Sequence, residues 1–194
     1  SNGSASNLLG SGASYTADIT PNGVGNLQIS LPANCAQDVA SNNNTASSAT
    51  NVTYDATAPT VVITGAPASV NSTTPFQITL TFNEAVTGLT AGEIVVTNGS
   101  ASNLLGSGAS YTVDITPSAA GNIQISIPAN AAQDAASNNN TASSATNVTY
   151  DATAPNVTIT GAPSIVNSMT PFQVTLTFTE PVTGLTAGEI AVTN

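Results

Sequence analysis

Apolar and polar residues alternate along much of this chain, with the period of two that suits a half-buried β-strand. The clearest run is Phe76, Ile78, Leu80 and Phe82, interleaved with Gln77, Thr79, Thr81 and Asn83. Before it, Val61 and Ile63 mark a first strand that ends at Gly65-Ala66-Pro67. After it, residues 85–92 read as a loop, and Ile94 and Val96 as a third strand closed by Asn98-Gly99, a strong turn signal. Leu104 and Leu105 predict a short strand ahead of Gly106-Ser107-Gly108. Tyr111, Val113 and Ile115 alternate next and stop at Pro117; Ile123, Ile125 and Ile127 follow and stop at Pro128. A polar loop over residues 131–145 leads to a last strand with Val148 and Tyr150. The Tyr and Phe side chains fall on the inward phase, so they read as core rather than as a platform for stacking a ligand.

About seven short strands, turns at intervals of about ten residues and no helix longer than a loop turn predict an all-β fold. The architecture that fits is an immunoglobulin-like sandwich of two antiparallel sheets, with a closed barrel as the alternative. The pattern also recurs. Residues 2–98 return as residues 98–194, a period of 96, with 17 differences in 97 positions. Most are mild, such as Leu27 against Ile123 and Ile78 against Val174. The period is too long for a solenoid unit and suits one small sandwich. Tyr54-Asp55-Ala56-Thr57-Ala58-Pro59 and Tyr150-Asp151-Ala152-Thr153-Ala154-Pro155 punctuate the repeats. Residues 58–151 are then a complete repeat, 1–57 the C-terminal part of the one before, and 152–194 the N-terminal part of the one after. The two partial repeats are complementary. Either the chain is a window on a longer polypeptide, or one copy's tail completes the next copy's head in an open fibre. The first residue is Ser1 and no signal sequence precedes it, which favours the window.

Composition narrows the function classes. The 194 residues include no Lys, Arg or His and ten acidic residues, for a net charge of −10. Without cationic side chains nothing neutralises phosphates, so neither nucleic acid nor an anionic membrane surface is an expected partner. No apolar run approaches the length of a membrane span. The single cysteine, Cys35, excludes an intrachain disulfide, and its counterpart Ala131 marks it as a small filler. Serines are plentiful, but no His or Lys base is present to activate one, so no enzyme is expected.

The acidic residues are sparse and placed to a pattern. In a sandwich of this order, the second strand ends at Glu84 at the domain's N-terminal pole, and the next loop there ends at Glu93. The last loop, with Asp134 and Asn138, returns to the same pole. Asp55 arrives there from the preceding linker. These carboxylates would repel one another unless some gain protons or a cation sits among them. Calcium suits oxygen-only ligands from irregular loops, with Asn and carbonyl oxygens helping. Zinc is disfavoured without His or paired Cys. Asp38 is the counterpart of Asp134; Asp151, Glu180 and Glu189 are those of Asp55, Glu84 and Glu93. Asp151 must find its last-loop partner beyond Asn194 or in another copy. The alternative is that all these are ordinary solvated carboxylates. Asp114, on an outward phase away from the pole, is expected to hold no metal.

Four motifs in order carry a resemblance: Thr81-Phe82-Asn83-Glu84-Ala85-Val86-Thr87-Gly88, Glu93-Ile94-Val95-Val96-Thr97-Asn98-Gly99, Ala132-Gln133-Asp134-Ala135-Ala136-Ser137-Asn138, and Tyr150-Asp151-Ala152-Thr153-Ala154-Pro155. Together they resemble the bacterial Ig-like repeats of very large surface adhesins of the biofilm-associated type. The resemblance implies tandem sandwiches at the cell surface, secreted, often stiffened by calcium and acting as a stalk. One departure is that family members often carry Gly before the Asn of the last loop, where this chain has Ser137. A second functional class stays open. Outward Thr residues, such as Thr79 and Thr81 or Thr175 and Thr177, offer a flat face to carbohydrate or ice, or simply reflect β-propensity on a solvent face.

Overall fold

The computed structural model describes residues 2–193 and is nearly all β. It divides between Tyr150 and Asp151 into two compact units.

The first unit opens with two hairpin-like pairs. Strands β1 (Gly3–Ser11) and β2 (Ser14–Pro21) are antiparallel, with a bulge between Ser6 and Leu9. Strands β3 (Gly25–Ile29) and β4 (Thr50–Tyr54) pair antiparallel as well. Seven strands follow: β5 (Val61–Thr64), β6 (Ser69–Val70), β7 (Phe76–Val86), β8 (Val95–Thr97), β9 (Gly99–Pro117), β10 (Gly121–Ser126) and β11 (Thr146–Tyr150). They form two sheets, ordered β5-β7-β9 and β6-β11-β10-β8. One core cluster draws on both. Val61, Ile78, Leu80, Phe82, Val113 and Ile115 come from the first sheet, and Ile123, Ile125 and Val148 from the second. This is the sandwich that the alternation predicts.

Each element follows from local chemistry. On β7 the buried positions are Ile78, Leu80, Phe82 and Val86, while Gln77, Thr81, Asn83 and Ala85 are exposed. Burying each large aliphatic side chain contributes about 1.5–3 kcal/mol. The Phe82 and Tyr111 rings meet edge to face at 6.1 Å, and the Tyr111 hydroxyl donates to the Val86 carbonyl at 2.9 Å. That bond satisfies the polar tip of a buried ring.

Three details differ from the sequence reading. The segments around Leu104 and Tyr111 run together as β9, with Gly106 and Gly108 at positive φ between them. Strand β7 runs on to Val86, into the segment read as a loop, but its register against β9 shifts between Thr81 and Val86. Strand β6 is new; it pairs parallel to β11 through Ser69–Thr149 and Val70–Tyr150, and two residues are too few to show a period.

The second unit contains an antiparallel pair, β12 (Val157–Thr160) and β13 (Thr175–Phe178), and a 3-10 turn at Ala187–Glu189. Most of its side chains are exposed. Among the described residues, no helix is long and apolar enough to cross a membrane.

Candidate metal centre

The polar end of the sandwich is built by three segments. The first is the linker at Asp55. Its carboxylate accepts the Thr57 N–H at 2.9 Å, which folds the linker into a small turn. Farther along, the Pro59 carbonyl accepts the Thr141 N–H, and Thr60 exchanges hydrogen bonds with Asn83. The linker is therefore held by both β7 and the last loop.

The second segment is the end of β7. Glu84 lies in the stretch of shifted register, between buried Phe82 and buried Val86. A bulge of this kind re-aims a side chain at a sheet's rim. The third segment is the last loop. Its backbone bridges to β7's end, with Thr87 and Gln133 exchanging N–H···O=C bonds at 2.7 and 2.9 Å. Asp134 then closes a tight loop: its Oδ1 accepts from the N–H groups of Ala136 and Asn138, and its Oδ2 from the Asn138 side chain, each at 2.8 Å. Asn138 also donates to the Asp55 carbonyl at 3.2 Å.

Asp55, Glu84 and Asp134 thus offer one carboxylate oxygen each, all within 4.8 Å of one another. Asp134 is buried and the other two are half-buried. The set passes a simple test of fit. An ion held at 2.3–2.6 Å allows two ligand oxygens to lie at most about 5 Å apart, so one calcium ion can touch all three. The donors are all oxygen, the type that hard cations take.

Electrostatics separates the neighbours. Burial, then the charges of Asp55 and Asp134, push the Glu84 carboxyl above its ordinary range, against a hydrogen bond from Asn83. For Asp134, burial acts upward as well, but hydrogen bonds from the Asn138 side chain and the Asn138, Ala136 and Ser137 N–H groups outweigh it and hold the carboxyl below its ordinary range. Asp134 is the carboxylate fixed in its charged form, and Glu84 the one under stress.

The other acidic residues are placed differently. Glu93 does not join the three. It ends a 3-10 turn, and its carboxylate accepts the Thr90 N–H at 2.6 Å. Asp114 is tied to Asn103 at 2.9 Å and to Gln77 at 3.4 Å. Asp38 forms the same closed loop as Asp134, accepting from Ala40 and Asn42, but it is exposed. Those hydrogen bonds, with the Asn42 side chain foremost, lower its pKa against a smaller effect of burial. In the second unit, Asp151 accepts from Thr153 and Glu189 from Thr186, while Glu180 has a buried Oε1 with no hydrogen-bond partner among the described residues.

Ser137 answers the departure in the last loop. Its φ is 69°, so it adopts the left-handed conformation that glycine takes most easily. The loop geometry is kept at some strain. Nothing in the sequence pattern sets Asn140 apart from its neighbours Asn138 and Asn139. The buried Asn140 side chain accepts the Ala132 N–H and donates to the Pro128 and Thr141 carbonyls, bracing the loop from beneath.

Residues 55–150 match the family model of the bacterial Ig-like domain. No curated protein and no solved structure matches the chain. The match runs from the linker aspartate to the end of the last strand, and the two-sheet sandwich lies within it. Residues 55–150 therefore form a domain of the bacterial Ig-like family.

Proposed function

We propose that this chain is a non-enzymatic, extracellular structural repeat, and that calcium stiffens the joints of the stalk or filament it builds at a bacterial cell surface. In this reading residues 58–151 are one whole repeat, and 1–57 and 152–194 are the back and front parts of its neighbours. The array serves adhesion or a biofilm matrix. The family is generally non-enzymatic and usually found outside the cell, which supports the class.

The observation that carries the reading is the meeting of Asp55 with Glu84 and Asp134. Asp55 belongs to the linker, the other two to the domain that follows. An ion held by all three would fix the linker to that domain. Asp55, Glu84 and Asp134 would supply carboxylate oxygens, while Asn138 holds both Asp134 and the Asp55 carbonyl in place. The ion would neutralise a cluster that no side chain of this chain can neutralise, since Lys, Arg and His are absent. Asp151 and Glu180 would serve the next joint in the same way.

Calorimetric titration of the metal-free chain with calcium tests this. A saturable heat is expected, together with a rise in melting temperature. At 100-fold excess over Kd, linkage stabilises the folded state by about 2.7 kcal/mol. The Asp134→Asn variant should lose both effects. A melting curve unchanged between calcium and chelator would remove calcium from the reading.

A further inference from the structure

We propose that the sandwich of residues 55–150 carries a shear latch against tension. The latch is the short pair β6–β11, which ties the segment entering the domain to the strand leaving it. Its use in a stalk rests on the function proposed above; the latch itself does not, and it needs no ion.

The direction of this pair sets it apart. Among the described strands, β6 and β11 run parallel, and every other ladder is antiparallel. Their place in the chain gives that direction a consequence. The chain enters the domain from the linker, runs through β5, turns at Gly65 with a φ of 80°, and crosses to β6 in the other sheet. It leaves through β11, whose last residue, Tyr150, directly precedes the next linker. Tension along the chain therefore pulls β6 back toward its start and β11 on beyond its end. For two parallel strands these pulls are opposed along one axis. The contacts between them are loaded side by side, share the force and fail together. An antiparallel hairpin pulled at its open end instead loses its bonds one at a time.

The pair couples backbone bonding to apolar burial. The Thr149 N–H donates to the Ala68 carbonyl at 3.0 Å. Ser69 lies opposite Thr149, and Val70 opposite Tyr150. Val70 and Tyr150 are both half-buried and pack against the core. Side chains alternate between the faces of a strand, so a slip of one residue would turn Val70 from the core to solvent. On its other flank β11 pairs with β10 over five residues, which makes it the firm member of the latch. Strand β6, two residues long, is the member that moves. Ahead of it, β5 is held to β7 by four pairs, from Val61–Phe82 to Thr64–Thr79. The entering segment is thus fastened to both sheets, and tension reaches the rest of the core only after that segment slips.

The barrier to extension is then crossed while β7, β9 and β10 are still packed together. Substitutions in the latch should speed extension. Substitutions deep in β9 remove interactions that are intact at the barrier, so they should slow refolding and leave extension nearly unchanged.

The full 194-residue chain is held by its two ends at constant tension, in chelator, which keeps the outcome independent of calcium. The sandwich is recognised by a step of about 300 Å, from about 90 residues at about 3.4 Å each. Val70→Ala and Tyr150→Ala each trim one side of the latch. Val113→Ala is the comparison: Val113 is fully buried on β9, which pairs with neither β5 nor β11, and the preceding repeat carries Ala17 there. An unchanged denaturant slope shows that each variant is folded. Val70→Ala and Tyr150→Ala should each raise the rate of extension at least about tenfold, and Val113→Ala less than about threefold, even where its loss of stability in denaturant is as large. Either latch variant extending at the parent's rate overturns the proposal. So does a Val113→Ala chain that extends as fast as the latch variants.

Discussion

Asn138 donates its side-chain amide to the backbone carbonyl of Asp55 at 3.2 Å, across 83 residues of chain. The same amide nitrogen donates to Asp134 Oδ2 at 2.8 Å. One side chain therefore holds both the linker and the loop that face each other at the acidic pole. Asn138→Ala should release the linker and leave Asp134 with one acceptor oxygen unpartnered. We expect the melting temperature to fall by about 5 °C. Calcium affinity should fall about tenfold, as when a partner that orients a ligand is removed. Calorimetry with and without calcium measures both.

Glu84 should be the residue whose removal helps the metal-free chain. Its carboxyl is raised above its ordinary value of 4.5 by burial and then by Asp55 and Asp134. Between that value and the higher folded value, the folded chain holds a proton more tightly than the unfolded chain. Stability from this group therefore falls as pH rises through that window, and the penalty is complete above it. Asp134 runs the other way: its contribution is present above 3.8 and is lost as pH falls through its lowered folded value. Glu84→Gln should raise the metal-free melting temperature at neutral pH by a few degrees, flatten its pH dependence just above pH 4.5, and abolish the response to calcium. Thermal melts across that range decide it. A lower metal-free melting temperature would mean that Glu84 is not under repulsion.

How far the sequence shows this site depends on the length scale of each signal. The strand from Phe76 to Phe82 alternates long enough to be unmistakable, and so do those at Tyr111 and Ile123. The convergence of Asp55, Glu84 and Asp134 follows from strand direction alone, since sandwich topology decides which loops share a pole. The register shift beside Glu84 leaves no such trace, because apolar Phe82 and Val86 keep the alternating phase through it. Glu93 is the instructive miss. Topology puts it at the same pole, but Thr90-Ala91-Gly92-Glu93 also has the spacing of a capping box, which turns the carboxylate back onto the Thr90 N–H. Local chemistry three residues away outweighs a long-range partner. Strand β6 and the brace at Asn140 depend on tertiary contacts that no local pattern encodes.

Ser137 carries a strain that one substitution relieves. A non-glycine residue at a φ of 69° costs about 1–2 kcal/mol, part of which glycine would return as lost chain entropy. Ser137→Gly should therefore stabilise the sandwich by about 0.5–1 kcal/mol, and Ser137→Val should destabilise it by more than that. The loop's hydrogen bonds to Asp134 do not involve the Ser137 side chain, so calcium affinity should stay level for the glycine variant. Denaturant titration gives the first result and calorimetric titration the second.

Asn140 and Asn44 share three equivalent hydrogen bonds in two different settings. Asn140 accepts from the Ala132 N–H at 2.8 Å and donates to the Pro128 and Thr141 carbonyls at 2.9 and 2.8 Å. Asn44 accepts from the Ala36 N–H at 2.8 Å and donates to the Pro32 and Thr45 carbonyls at 2.9 and 2.8 Å. Asn140 is buried and Asn44 is half-buried. Removing a partner costs most where water cannot replace it, about 1–3 kcal/mol for each buried group left unsatisfied. Asn140→Ala should therefore destabilise the sandwich by at least about 2 kcal/mol, with an unchanged denaturant slope. Asn44→Ala should cost less, because water reaches part of what it leaves unpaired. Chemical denaturation of both variants beside the parent chain measures the difference.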